Sequence, residues 1–489
     1  MHPPAVLLKQ SLCVLIPVVV CALCDGQLAD VAGAAERFQA GAVAVDITPT
    51  WFPTSSNGGM ADRQVTGAHD PLHARCLVLD DGRTPIAIVV CDSCMIPRDI
   101  FDRAKQRASQ ATGIPASHML MSATHTHTGV TATGVFQSDP DVQYCRFLVE
   151  RIAEGVERAY QQRAPARVGW AVGSDRSQVF NRRWFTKAGL VNTDPFGGTG
   201  DRVRMNPGFN PDANIEPAGP IDPDVSILAV QSAQGRPIAL LANYSLHYVG
   251  GVPGVLLSAD YFGEFAQRVG ERIGASDVDP PFVGIMSNGT SGNINNIDFS
   301  ASSRPSRAAF EQIRVVAASV ADAAFRAYQS IEYRDHVPLA MAEREVALGV
   351  RVSLAKDVER AKQTLADAGS PPYKTVDQIY ARETILLSAY PAHVKVVLQA
   401  IRIGELGIVS SPCETFVETG LAIKERSPLT PTFTIELANG YNGYLPTPEH
   451  HDLGGYETWR ARSSYLARDA EPKLRSTLLE LLGEVAPGK

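Results

Sequence analysis

Several apolar segments of this chain run for only a few residues and then stop at side chains able to ligate a metal or carry a proton. The segments are 86-IAIVVCD-92, 119-MLMSATHTH-127, 239-ALLANYSLH-247, 282-FVGIMSN-288, 407-GIVSSPCE-414 and 432-TFTIELANGYNGY-444. Short apolar runs rich in Val and Ile read as strands, and near-continuous apolarity implies burial on both faces. Where strands are flanked by helices, sites gather at strand ends. If these ends face one way, they form a single pocket.

Helical periodicity fills the gaps. Residues 99–112 place Ile100, Phe101, Ala104, Ala108 and Ala111 on one face before Gly113, and 141–161 carries a second apolar stripe. Further helices are expected near 260–274, 306–331, 353–368 and 470–482. Strands are expected at 41–50, 75–82, 86–92, 167–173, 225–231, 237–247 and 394–411, with Asp81-Gly82 turning one hairpin. The Gly, Pro and Asn-rich stretch 185–220 reads as a long loop walling a site. Strands and helices alternate throughout, so the fold class is α/β (or α+β), a mixed sheet with flanking helices.

Composition narrows the function. A net charge of -7 with dispersed Lys and Arg provides no basic footprint, so no nucleic acid partner is expected. Lys9, the apolar run from Leu12 to Cys24 and Ala32-Gly33-Ala34 read as a signal peptide over about 1–34, implying export to the periplasm or the exterior. Lipidation at Cys21 or Cys24 is the alternative use of that segment. The remaining cysteines, Cys76, Cys91, Cys94, Cys145 and Cys413, are odd in number and too sparse for a disulfide framework. Cys91 and Cys94 read as buried strand thiols.

His125 and His127, one residue apart beyond an apolar run, can converge on a metal, as can His247 at its own strand end. Glu414 either ligates or merely opens a helix and meets its dipole. Tyr441 and Tyr444 are ligands or pocket walls. Asp92 is either an imidazole-orienting partner or a strand-end cap. His450 and His451 read as a solvated surface.

In order along the chain, GAVAVDITPT, PLHARCLVLDDG, SATHTHTG, NRRW, PIDPDVSILAV, NYSLH, SADYFGEF, PCETF and NGYNGYLPTPE resemble the neutral ceramidases. These are zinc-dependent amidases that cleave ceramide to sphingosine and fatty acid. The resemblance implies one zinc hydrolase domain over 35–489, with Zn2+ held by His125, His247, Glu414 and Tyr444, and Tyr441 the replacement for Tyr444. It makes His127 a histidine that supports the metal or contacts substrate and Arg182 a substrate contact; the chemistry then gives catalytic roles to His127 and Arg182 in steadying the oxyanion, with loop amides near Gly289, and to Tyr444 as a proton donor. Gly289 falls where the family has a serine implicated in catalysis, and an alternative register puts Ser287 there. The chain ends soon after its last helix, so the family's immunoglobulin-like carboxy-terminal domain is expected to be missing. The implied activity is hydrolysis of an N-acyl linkage in a ceramide-like lipid. Its alternatives are a different amide or ester at the same metal, or a metal-retaining binding protein without turnover. A small-molecule or lipid substrate, transient contact with a membrane surface and no obligate protein partner complete the expectation.

Overall fold

The computed structural model describes residues 38–187 and 193–488. The expected signal segment, 1–34, lies outside them. Eight strands form the main sheet: β1 (Gln39–Asp46), β2 (His73–Asp80), β3 (Ile86–Cys91), β4 (Met119–Ala123), β5 (Ala164–Ser174), β6 (Asp224–Ser232), β7 (Pro237–Tyr244) and β8 (Val283–Asn288). Their spatial order is β8-β7-β6-β5-β1-β2-β3-β4. The middle of the sheet is antiparallel, but each edge is a parallel pair, β3 with β4 and β7 with β8.

Those parallel pairs require crossovers, and helices supply them. α1 (Arg98–Thr112) joins β3 to β4, and α3 (Asp260–Arg272) joins β7 to β8. Between them α2 (Val142–Gln161) begins at Asp141, whose side chain accepts the Tyr144 N–H. α4 (Glu311–Tyr328) follows β8 and packs on the sheet's outer face beside α3.

A second sheet contains β9 (Leu339–Gly349), β10 (His393–Ile403) and β11 (Leu406–Ser410). The chain then leaves it for the two-residue β12 (Glu414–Thr415) and returns as β13 (Thr432–Ile435) beside β11. β14 (Tyr444–Leu445) pairs in parallel with β12, setting Glu414 opposite Tyr444. α5 (Ala355–Ala368) and α6 (Val376–Leu387) lie between β9 and β10, whereas α7 (Val417–Arg426), α8 (Pro448–Leu453) and α9 (Ala470–Val485) follow β12.

The strand period explains the layering. On β3, Ala87, Val89 and Cys91 pack among the residues of α1 and α2, while Ile86, Ile88 and Val90 pack against Ile401, Ile408 and Phe433 of the second sheet. Burial on both faces is why this strand is apolar without alternation. The result is helices, large sheet, small sheet and helices, with α9 closing the far side through Leu474, Leu478 and Leu482.

One short segment makes the two edges of the main sheet meet. Beyond β13, the Glu436 N–H donates to the Asn288 carbonyl at the end of β8 (3.0 Å), and the Leu437 carbonyl accepts from Ala123 at the end of β4 (3.1 Å). Asn439 N–H donates to Met121 O (2.7 Å). Residues 436–439 thus bridge strands that lie at opposite edges, and bring the ends of β4, β7 and β8 to one place.

The expected mixed α/β class holds. The stretch 185–220 is not all loop: Arg183–Thr186, Val203–Met205 and Asn214–Pro217 form a three-stranded sheet. The strands expected at 394–411 are an antiparallel pair.

Candidate metal and catalytic site

His125 follows β4 by two residues and has a φ of 75°, a left-handed conformation that a non-glycine residue adopts only when its surroundings hold it there. The chain past β3 supplies the hold: Ser93 O accepts the His125 N–H (2.9 Å), and Cys94 O accepts from Nδ1 (2.7 Å). That bond fixes the tautomer and leaves the Nε2 lone pair facing inward. His247, just past β7, is set the same way, with Nδ1 bonded to Ser291 O (3.2 Å).

The two bare Nε2 atoms face each other at 3.0 Å. Glu414 Oε2 stands 3.3 Å from His125 Nε2 and 3.6 Å from His247 Nε2, buried and with no hydrogen-bond donor among the described residues. With both imidazoles neutral, three acceptors so close repel one another unless a positive charge lies between, whether a metal ion or a proton on His125. Nitrogen ligands about 2.0–2.1 Å from a tetrahedral zinc are roughly 3.3 Å apart, which is the spacing of this set. The donors fit that ion.

The electrostatics agree. Burial, and then the charge of neighbouring His125, push His247 and His127 well below the ordinary histidine value, so both are neutral imidazoles. For His125 burial also acts downward, but Cys94 and Glu414 outweigh it and its pKa is raised. The cluster therefore gathers one positive charge, and without a metal His125 carries it as a proton.

His127 Nε2 lies 3.1 Å from His125 Nε2, and the ring stacks on Tyr248 with centroids 3.6 Å apart. Arg182 is held by Glu457 Oε1 (3.0 Å) and Gly292 O (2.7 Å), with Tyr444 beside it. Tyr444 lines the same small pocket as His125, His127, Glu414 and Tyr441. Burial, then Glu414, raises the Tyr444 phenol well above its usual value, so the hydroxyl keeps its proton. Tyr441 takes a different post: its hydroxyl donates to Glu414 Oε1 (2.8 Å) and so orients the carboxylate.

Several expectations need correction. Gly289 does not face the pocket: its N–H donates to Tyr244 O (2.9 Å), and a side chain there would run into Ser245 and Asn243. Ser287 is occupied deep in the sheet by Asn243 and the Ala242 carbonyl. The serine of this loop that reaches the ligands is Ser291, whose Oγ sits 3.4 Å from His247 Nδ1. Glu414 does not open a helix; it lies in β12, and α7 begins at Val417. Asp92 is a strand-end cap, accepting from His73 N and pairing with Arg75 at 2.6 Å. Cys94 lies beyond the strand on the pocket wall, and His450 is buried with Nε2 2.9 Å from Glu418.

Cys94 Sγ lies 3.8 Å from His125 Nδ1, in sequence with Glu414 like a nucleophile, a base and its orienter. The Nδ1 proton already goes to the Cys94 carbonyl, so that nitrogen cannot accept from the thiol. The donor geometry is one that could hold a metal ion.

Among known family models none matches this chain, and no curated protein matches it in sequence. Solved structures match its architecture, two ceramidases among them. One is the crystal structure of neutral ceramidase from Pseudomonas aeruginosa, with a TM-score of 0.69 and 18% identity over 93% of this chain and 76% of that one. The other, a ceramidase complexed with C2, has the same score and identity over 93% and 77%. At that identity the likeness is one of architecture, and this chain has the neutral ceramidase fold.

Proposed function

We propose that this protein is an exported zinc-dependent amidase that hydrolyses an N-acyl linkage, with a ceramide-like lipid as its substrate class. The observation that carries the reading is the convergence of His125 Nε2, His247 Nε2 and the unpartnered Glu414 Oε2. Tyr444 would complete the ligand set from the strand beside Glu414. A zinc ion held there supplies Lewis acidity, polarising an amide carbonyl and lowering the pKa of water toward about 7.

The chain's own groups supply the rest. His127, kept neutral by burial and by the charge of His125, lies beside the ligand set and can help steady a developing oxyanion. Arg182, locked by Glu457 and Gly292, presents fixed positive charge beside Tyr444, where a developing oxyanion needs it. The Tyr444 hydroxyl, still protonated, can donate to the departing amine, which leaves poorly as an anion.

A second reading, a more polar amide or ester, is favoured by the adjoining cavity. It has a volume of ≈ 390 Å³, shares Tyr456 with the metal pocket and is lined by Asp201, Arg204, Asn206 and Asp377 as well as Met60 and Trp459. The test incubates zinc-loaded protein with fluorescent ceramide beside simpler N-acyl amides and esters, with and without a chelator. Chelator-sensitive cleavage of ceramide supports the first reading, and preference for a polar amide or ester supports the second. No cleavage by a protein with tightly bound zinc would mean a binding protein and overturn both.

A further inference from the structure

We propose that Glu436 is a positioning residue that braces two metal ligands at once, holding His247 through Ser291 and Glu414 through Thr415. This rests on the zinc reading above. Glu436 is fully buried at the start of the bridging segment 436–439 and is absent from the pocket wall, so it touches no substrate.

Its carboxylate takes up three donors from two separate pieces of chain. Oε1 accepts the Ser291 hydroxyl (2.6 Å), while Oε2 accepts the Thr415 N–H (2.7 Å) and the Ser291 N–H (3.3 Å). Ser291 in turn offers the carbonyl that fixes His247 Nδ1, and Thr415 is covalently next to Glu414. The loop carrying Ser291 is SNGTSGNINN, which has few side chains large enough to anchor it by packing. A single carboxylate behind it sets the ligand carbonyl and the ligand carboxylate at a fixed separation.

Burial pushes the Glu436 pKa up to about 8, while the Ser291 and Thr415 donors pull it down, so these bonds favour the carboxylate. A glutamine can keep both braces, its oxygen accepting from Thr415 and its NH2 donating to the Ser291 hydroxyl, whereas a leucine keeps neither. Residues that orient metal ligands through hydrogen bonds commonly change metal affinity by 10–100-fold when altered.

The test measures zinc affinity by competition with a fluorescent chelator, and the visible spectrum of the cobalt-substituted protein, well below the unfolding temperature. Wild type is compared with Glu436→Leu, Ser291→Ala and the double variant. The expected result is affinity weakened by about 10–100-fold in Glu436→Leu, a smaller loss in Ser291→Ala, an altered cobalt spectrum, and a double variant no worse than Glu436→Leu alone. A merely structural role would lower the melting temperature and leave affinity and spectrum unchanged, which overturns the proposal. If Glu436→Leu does not fold, Ser291→Ala decides, since it keeps every backbone bond and unchanged affinity there is also refuting. A wild-type chain that binds no zinc would strike the proposed function itself, whereas wild-type binding with unaltered variants strikes this inference alone.

Discussion

Zinc should stabilise this protein by an amount that His125 controls and that grows with pH. Without metal, the Nε2 atoms 3.0 Å apart and Glu414 Oε2 at 3.3 Å are relieved only by the proton on His125. Zinc held a thousandfold above its dissociation constant adds about 4 kcal/mol to the folded state. The described residues, about 450, unfold with an entropy of roughly 0.9 kcal/mol/K, so the melting temperature should rise by about 4 °C. Because the folded-state pKa of His125 is raised, its proton stabilises the metal-free fold below the unfolded value of 6.5, and that support is lost as pH rises through the folded value. Zinc must displace that proton, so the increment should be larger at about pH 8 than at about pH 6. Differential scanning calorimetry of chelated and zinc-loaded protein at both pH values, beside His125→Ala, is the assay. An equal shift in His125→Ala, or a shift that shrinks as pH rises, would refute the reasoning.

Four further outcomes are expected. A side chain at Gly58, whose φ is +118°, would come within 2.6 Å of His127 Cβ, so Gly58→Ala should cut kcat while zinc stays bound; at Gly292 it would meet the Glu414 carbonyl at 2.5 Å, so Gly292→Ala should weaken zinc itself, as metal analysis and steady-state kinetics will show. Glu457→Gln leaves the buried guanidiniums of Arg182 and Arg183 short of their counter-charge and should cost about 3–5 kcal/mol in denaturant unfolding. Lys105, buried against Asn439, has its pKa lowered by burial from 10.5 to about 8, so the unfolded chain holds a proton that the folded one has released between those values. Stability should therefore rise by about 3 kcal/mol across that window relative to Lys105→Met, measured by urea unfolding at each pH.

His125, His247 and Glu414 could be read in the sequence because each interrupts an apolar run, and the break stays visible without knowing the partner strand. Their supports could not be read. Ser291, Glu436 and Glu457 act across contacts between segments far apart in the chain, and no local spacing marks them; Tyr441 stands out in the sequence, but its bond to Glu414 does not. The strand β9, LAMAEREVALG, leaves no strand signature because it is built from residues that favour helices. Pairing with β10 along its whole length overrides that preference. Gly289 was misplaced for a related reason: counting along a loop fixes order, but only the bonds of residues 287–291 decide which side chain turns toward the metal.

The bridge at 436–439 also sets when the site can come into being. His125 and His247 are translated long before it, yet the edges that carry them are joined by hydrogen bonds from residues some 150 to 300 positions later. A nascent or clipped chain that stops short of Glu436 has His125, His247 and Glu414 but lacks Tyr444 and the hydrogen bonds by which residues 436–439 join β8 to β4. Tight zinc uptake should then belong to the finished molecule alone, making metal capture a report on the completion of folding, not a seed for it.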